Sequence, residues 1–349
     1  YSWVLLLGNN GLITRGVQSL FGFKPPSIYG FVGIVLVLTL QLVPLIFTYL
    51  MGAWRTVDVS VLEAAESLGA TGWRRVRKVL LPLLWPTVLA GSLLVFVRAF
   101  ADFGTPMLIG QGFRTVPVLI YSSFVGEVGT DHNFAASVAV IVMAVTLAVF
   151  IVQKISVERR RFTMTAMRTI EPRPLSGWRS WAVHGYVYGF LTLALAPLVV
   201  VVVSSFRKTL YGQFVAGYTL ENYTRSQNDI LRYVGNTFGI GLAALVSLVV
   251  IAVLVAYLTV RRKGPLSSAL DTMTMVPYVV PGLVIGIALV AAFSHGPIQL
   301  TGTIAIMVIA LTIRRLPYAV RSTTALMQQL SPTVEEAAIS LGASKTRTF

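Results

Sequence analysis

Seven long apolar stretches constrain the fold of this chain more than any other feature of its sequence. A helix that rises about 1.5 Å per residue needs about 20 apolar residues to cross a hydrocarbon core of about 30 Å. The stretches are roughly residues 28–50, 83–104, 134–153, 183–206, 233–259, 266–293 and 302–321, and residues 1–7 resemble the end of an eighth. With 55% hydrophobic and 12% charged residues, the chain has more apolar surface than a soluble core buries. We therefore predict an all-α fold, a polytopic transmembrane helical bundle with about seven to eight spans.

The basic residues lie between the apolar stretches and predict the orientation of the chain. If successive stretches cross the membrane in alternating directions, 20 of the 28 Lys and Arg fall on one face. They lie in segments 51–82, 154–182 and 260–265 and in the tail from Arg314. The positive-inside rule predicts that this face is cytoplasmic. The net charge of +15 therefore indicates contact with membrane lipid and no nucleic-acid partner, which would require basic residues on one solvated face.

The sequence offers no arrangement of residues typical of a metal site or of catalysis. Cysteine is absent, which excludes disulfides and thiolate ligands. His132, His184 and His295 are too far apart in sequence to form a metal site by their spacing. The acidic residues within the stretches are Asp102 and Asp271, and they are not paired. We predict no catalytic residues and no metal site.

A polar, basic segment at residues 63–82 lies between two of the stretches, and its first part occurs twice. Its sequence is EAAESLGATGWRRVRKVLLP: Glu-Ala-Ala, three residues, Gly69, nine residues, and Val-Leu-Leu-Pro ending at Pro82. Residues 336–344 match residues 63–71 at seven of nine positions. A motif repeated in equivalent places predicts a shared role for both copies.

The motif has the composition of a docking element if it forms a short helix. Its alanines allow another surface to approach closely, its glycine allows a sharp turn, and its glutamate presents a carboxylate to a cation of a partner. Residues 73–78, WRRVRK, predict an amphipathic basic helix along an anionic membrane surface, with Pro82 at the entry to the next span. An interfacial turn without a partner is the alternative, and the repetition of the motif favours docking.

Residues 154–182 are predicted to form a basic cytoplasmic linker, because they are rich in Arg and contain Pro172 and Pro174. This linker separates residues 1–153, with the first motif at 63–82, from residues 183–349, with the second motif starting at 336. Pro44 and Pro317 precede the two motifs at equivalent places, which supports two homologous halves. We expect the chain to be an internal portion of a longer protein, comprising the C-terminal part of a first half and the N-terminal part of a second.

These motifs resemble a known family, the membrane-spanning permease subunits of binding-protein-dependent ABC importers of the type I fold. In that family an EAA-x3-G-x9-I-x-L-P loop inserts a coupling helix into a cleft of each ATP-hydrolysing subunit. The first copy fits every position, with Val79 in place of Ile, and the second fits as far as the chain extends. Residues 1–11, 101–110 and 276–282, with sequences YSWVLLLGNNG, ADFGTPMLIG and VPYVVPG, resemble fused, two-half ferric-iron permeases in particular.

The resemblance implies a transport subunit and not an enzyme. ATP would be bound by two copies of a separate ABC ATPase subunit, and this chain would hold no cofactor. The residues expected to contact the ATPase are Glu63, Ala64, Ala65, Gly69, Glu336, Ala337, Ala338 and Gly342. A periplasmic or lipid-anchored substrate-binding protein is a further expected partner. The expected location is the bacterial cytoplasmic (inner) membrane, crossed several times, with both motif loops in the cytoplasm.

Two places within the apolar stretches are candidates for a translocation pathway. Pro277 and Pro281 each remove a backbone donor just before Gly282, so carbonyl groups are freed near mid-membrane. A packing kink is the structural alternative. Arg98 and Asp102 are four residues apart on one helical face, where we expect an ion pair. The functional alternative is that Asp102 helps to form an outer vestibule.

The resemblance favours ferric iron as the substrate. Phosphonate, sulfate, thiamine and polyamine permeases of the same fold are alternatives. An ion-coupled secondary transporter is a more distant alternative, since such proteins also contain repeats and broken helices but have no need of two docking motifs. A membrane-embedded enzyme would need a catalytic constellation that the sequence lacks.

Overall fold

The computed structural model describes residues 1–125, 131–158, 174–211, 213–262 and 264–344. The all-α prediction is confirmed, since a single short hairpin interrupts a helical chain in this described part. The helices before the hairpin are α1 Ser2–Leu7, α2 Leu12–Phe21, α3 Phe31–Trp54, α4 Val59–Ser67, α5 Gly72–Arg75, α6 Leu81–Phe100, α7 Gly104–Ile109, α8 Val116–Val125, α9 His132–Glu158 and α10 Gly177–Ser205. The hairpin strands are β1 Arg207–Leu210 and β2 Gln213–Tyr218. The helices after it are α11 Glu221–Arg225, α12 Gln227–Arg261, α13 Pro265–Val279, α14 Gly282–Phe293, α15 Ile304–Gln329 and α16 Pro332–Ser340.

Within the described ranges, five helices are long and apolar enough to cross a membrane. They are α3, the continuous helix Gly72–Phe100, the first part of α9, α10 and α12. Helices α13 and α14 make a sixth when they are taken as one span bent by 108°. The count of five to six is lower than the predicted seven to eight. Helix α1 has only six residues, and α15 carries Arg314, Arg315 and Arg321, which make it more polar than the other long helices.

The basic residues after the first motif begin a span instead of forming a separate surface helix. Helix α5 continues through a π-helical turn, Val76–Leu80, into α6 without a break. Pro82 is the second residue after the π-turn, in the first turn of α6, and the helix continues through it. A π-turn is one of the local adjustments that lets a helix accommodate an irregularity. The predicted amphipathic helix at residues 73–78 is therefore the start of the 29-residue helix.

The chain divides into two compact units, Tyr1–Gln227 and Asn228–Phe349. Of the predicted linker 154–182, residues 159–173 lie outside the described residues, and these include the run Arg159-Arg160-Arg161. The proposed division into parts of two homologous halves stays a prediction.

In the first unit, α3 and α6 pack through a small residue. A Cβ atom added to Gly91 of α6 would overlap Cδ1 of Ile46 of α3, so the two helices approach closely because this position is glycine. Gln153 of α9 donates a hydrogen bond from Nε2 to the carbonyl of Leu89, 2.6 Å away, and ties α9 to α6. Three of the five spans are thus joined within this unit.

In the second unit, α12, α13 and α15 share one apolar cluster. Ala252 and Val255 of α12 are buried against Val320 of α15, with Met275 of α13 packed on them. Ser267 near the start of α13 donates from Oγ to the carbonyl of Leu258, 3.1 Å away, near the end of α12. The ends of α12 and α13 are therefore fixed to each other.

Many large apolar side chains of the spans are exposed, which is the pattern of a helix bathed in lipid. On α10, for example, Leu198, Val199 and Val202 are all exposed. Such side chains lose nothing in a hydrocarbon solvent, so helices in a bilayer associate through close packing and not through burial of apolar area.

Candidate functional site

The first motif folds into a short helix, α4, that is closed at both ends. At its start, the carboxylate of Asp58 accepts a hydrogen bond from the amide of Ser60, with an O–N distance of 2.9 Å. Such a cap satisfies an amide that the helix leaves without a partner. At its end, Gly69 has φ +80°, the left-handed region that favours glycine.

Two nested hydrogen bonds close the C-terminus of α4. The amide of Gly69 donates to the carbonyl of Glu66 at 2.9 Å, and the amide of Ala70 donates to the carbonyl of Ala65 at 2.9 Å. This is the Schellman arrangement, in which a left-handed glycine lets the chain turn back over the last helical carbonyls. The glycine of the motif therefore has a defined physical task, which is to end the helix.

The second motif, α16, repeats this geometry. Ser331 accepts a hydrogen bond on its side-chain oxygen from the amide of Thr333 at 3.3 Å, and Pro332 occupies the first turn. Gly342 has φ +85°, and its amide donates to the carbonyl of Ile339 at 2.9 Å. The amide of Ala343 donates to the carbonyl of Ala338 at 3.0 Å. Both motif helices have nine residues.

The two motif helices expose equivalent residues. Leu68 and Leu341, which precede the motif glycines, are each 88% exposed. Of the predicted docking residues, Ala65 is buried and Ala338 is half-buried, and the exposed ones are Glu63, Ala64, Gly69, Glu336, Ala337 and Gly342. A carboxylate, two small residues and a leucine are thus exposed together in each copy of the motif. Sequence reasoning missed the leucines, although Ser-Leu-Gly is identical in the two copies.

Each motif helix is tied to the rest of its unit by one arginine. The guanidinium of Arg75 lies 2.7 Å from the carboxylate of Glu66 in the first motif. In the second, Nε of Arg261 lies 2.5 Å from Oε1 of Glu335. Neither pair follows from the motif itself, because Glu66 is replaced by Ile339 in the second copy and Glu335 by Leu62 in the first.

The predicted ion pair between Arg98 and Asp102 is wrong. Among the ion pairs of the described residues this one is absent, and the carboxylate of Asp102 instead accepts a hydrogen bond from the amide of Thr105 at 2.8 Å. The reason is that α6 ends at Phe100, so the four-residue spacing no longer places the two side chains on one helical face. Asp102 organises the turn into α7.

The chain is interrupted between α13 and α14, close to where the prolines predict. Pro277 lies inside α13, whereas Val280 and Pro281 have extended backbone conformations and Gly282 begins α14. A Cβ atom on Gly282 would lie 2.9 Å from Cζ of Arg314 on α15. The glycine therefore leaves room for a guanidinium beside the break.

Helices α13 and α15 also meet through a charged pair that the sequence alone did not indicate. Arg321 lies 3.5 Å from the carboxylate of Asp271, and its Nε lies 3.3 Å from the sulfur of Met275. The rings of Tyr278 and Tyr318 meet edge to face at 5.6 Å. Since spacing rules concern one helix at a time, they do not reveal partners on different helices.

In the part of the chain that the structure describes, no three His, Asp or Glu side chains are grouped in a way that could hold a metal ion. His132 packs edge-on against Phe124 at 4.8 Å, and His184 contacts Ser180 in its own helix.

The family described as binding-protein-dependent transport system inner membrane component matches residues 3–162 and 249–349. Each matched segment contains one copy of the motif. No solved structure matches this chain.

Individual proteins to which this chain is similar are transport system permeases. A ferric transport system permease protein of Haemophilus influenzae is 28% identical over 362 residues, covering 99% of this chain and 55% of that protein. One of Actinobacillus pleuropneumoniae is 28% identical over 358 residues, covering 99% of this chain and 51% of that protein. A 2-aminoethylphosphonate transport system permease protein of Salmonella paratyphi A is 31% identical over 162 residues, covering 45% of this chain and 55% of that protein. The chain spans about half the length of these relatives.

Proposed function

Since this chain belongs to the family of binding-protein-dependent transport system inner membrane components, we propose that it forms part of the permease of an ATP-driven importer. The observation that carries the proposal is the pair of motif helices, α4 and α16. Two helices that share sequence, caps, closing turn and exposed residues are suited to two copies of the same partner. That partner is a separate ABC ATPase subunit, which binds and hydrolyses the ATP.

In this function the motif helices serve as coupling helices. The exposed alanines allow a cleft to close around each helix, the exposed leucine fills an apolar pocket, and the glutamate meets a cation of the ATPase. When the ATPase copies close on ATP, the helices are displaced and the spans move with them. Substrate then passes from a binding protein on the outer side to the cytoplasm.

The proposed orientation places both motifs in the cytoplasm of a bacterium and the chain in its inner membrane. It is supported by the excess of Lys and Arg in the segments that share a face with the motifs. The hairpin of β1 and β2 would then face the periplasm, on the side of the substrate-binding protein.

Ferric iron is the proposed substrate. The support is similarity, since two ferric transport permeases match 99% of this chain. The candidate pathway residues are Asp102, Pro277, Pro281 and Gly282, with Arg314 now beside the break. A phosphonate is the second candidate, because a 2-aminoethylphosphonate permease matches 45% of the chain at 31% identity.

The deciding experiment is uptake of labelled ferric iron by proteoliposomes that contain the full-length permease, its ATPase and its binding protein. We expect uptake only when ATP and binding protein are both present. If iron is not taken up but a binding protein loaded with a phosphonate stimulates ATP hydrolysis, the importer stands and the substrate changes. Uptake driven by an ion gradient without ATP would instead establish a secondary transporter.

A further inference from the structure

The last residue of α12, Arg261, reaches the first turn of the second motif helix. Its Nε lies 2.5 Å from Oε1 of Glu335, and its Nη2 donates to the carbonyl of Leu330 at 3.1 Å. The side chain of Arg261 is 13% exposed and that of Glu335 is 32% exposed. One guanidinium thus holds a carboxylate of α16 and a carbonyl at the end of α15 together.

The helix that carries Arg261 is itself firmly joined to its neighbours. Three residues before the end of α12, the carbonyl of Leu258 accepts the hydrogen bond from Ser267 of α13. One turn earlier in the helix, Val255 of α12 packs against Val320 of α15. A displacement of α16 that moves Arg261 therefore also moves α12. Through the hydrogen bond of Ser267, it moves α13, the first of the two helices on either side of the break.

The contact has the chemistry of a rigid link. The planar guanidinium presents its donors in a fixed fork, so that two acceptors held at once define its position. Hydrogen bonds between ionised groups are about twice as strong as neutral ones, and partial burial reduces their screening by salt. The other ion pairs of the described residues are more exposed: Arg225–Glu221 is exposed at both ends, and Arg75–Glu66 and Arg321–Asp271 are both more exposed than Arg261–Glu335.

We propose that the Arg261–Glu335 ion pair is the positioning link through which displacement of the second motif helix reaches α12 and the interrupted helix α13–α14. The inference rests on the proposed function, since it assigns the mechanical path within the same coupling site. Glu335 is adjacent to the motif glutamate Glu336, so the acid that docks and the acid that transmits are separate residues.

The test measures substrate transported per ATP hydrolysed in proteoliposomes with the full-length permease, ATPase and binding protein. We expect Arg261→Gln and Glu335→Gln each to lower this ratio about fivefold or more, the lower end of typical coupling between sites. The exchanged pair R261E/E335R restores the attraction and should recover most of the loss. Arg225→Gln, which breaks the exposed pair in α11, is the matched control and should leave the ratio unchanged.

The amount of inserted permease and of bound ATPase is measured for every variant, because a structural defect would lower both. An unchanged ratio in the two single variants, or an exchanged pair no better than either, would overturn the link while the importer stands. If the neutral variants do not insert, Arg261→Lys decides: it keeps the charge but loses the fork, and an unchanged ratio overturns the link. Absence of ATP-dependent transport by the unaltered protein would overturn the proposed function and this inference with it.

Discussion

Gly69 and Gly342 hold the same backbone conformation at the same place in two separate helices. A Cβ atom at either position would meet nothing within 4 Å, so crowding does not explain the glycines. Their positive φ angles do, because an L-residue with a side chain adopts this region at a cost of roughly 1–2 kcal/mol. The spacing from Glu63 to Gly69, and from Glu336 to Gly342, therefore spans the second half of each helix plus its closing turn.

Substitutions of Gly69 or Gly342 can separate the effect of the backbone conformation from the effect of added side-chain bulk on ATPase binding. We expect Gly→Ala at either position to lower the affinity for the ATPase about fivefold, because about 1 kcal/mol is needed to close the helix end. Gly→Asn should have a smaller effect, since Asn tolerates the left-handed region. The affinity of purified ATPase for permease in nanodiscs is measured for the Ala and the Asn variants. Equal losses for Ala and Asn would mean that bulk and not φ matters.

The exposed leucines make a second prediction at this scale. Leu68→Asp and Leu341→Asp should leave folding intact, because both side chains are already almost fully exposed. Each should weaken ATPase binding about tenfold or more, since burying a leucine is worth about 1.5–3 kcal/mol. Leu220→Asp, also exposed but outside both motifs, is the control. Unaltered binding in both motif variants would show that these leucines do not enter the partner.

Among the elements, the contact between α3 and α6 depends on the absence of a side chain at Gly91. We expect Gly91→Val to destabilise the permease by about 1–3 kcal/mol, because the added methyl groups collide with Ile46. Ile46→Ala in the same protein should relieve the collision and restore part of the thermal stability in detergent. A double variant no more stable than Gly91→Val would place the clash elsewhere.

The break between α13 and α14 gives a prediction for transport. Gly282→Leu would displace the guanidinium of Arg314, because even a single added carbon lies in contact with it. If the break lines the pathway, transport should fall at least tenfold while ATPase binding is unchanged, since the motif helices are not altered. Gly286→Leu is the control, as an added carbon there meets nothing within 4 Å. Equal losses in both variants would favour a packing role.

The accuracy of the sequence predictions for these elements follows their locality. The motif turn, the interruption near Pro281 and the helical nature of the apolar stretches are local features, and the sequence predicts them close to their observed positions, although α15 is too polar to count among the spans. The ion pair of Arg98 was predicted from helical spacing and is wrong, because α6 stops before Asp102. The link of Arg261 to Glu335 joins residues 74 apart in sequence, so no pattern along the chain indicates it.

For the whole molecule, the two motifs are alike in shape but not in attachment. In the first motif, Glu66 pairs with Arg75, which lies in the first turn of the following span. Beside the second motif, Glu335 pairs with Arg261, the last residue of the preceding helix α12. We expect Glu66→Gln to change the ratio of transport to ATP hydrolysis by about twofold or less, because exposed ion pairs contribute little. Glu335→Gln should change it more. Equal effects in the same uptake assay would show that the attachments are equivalent.

The length of the helix Gly72–Phe100 has a consequence for the membrane itself. Its 29 residues extend about 43 Å, about 13 Å more than the hydrocarbon core. The four basic residues of its first two turns, Arg74, Arg75, Arg77 and Lys78, occupy this excess. The first motif is therefore joined to its span by a basic helical segment at the level of the lipid headgroups. In the proposed importer, the thickness and anionic lipid content of the bilayer would therefore set the height at which movement of a bound ATPase reaches the first span.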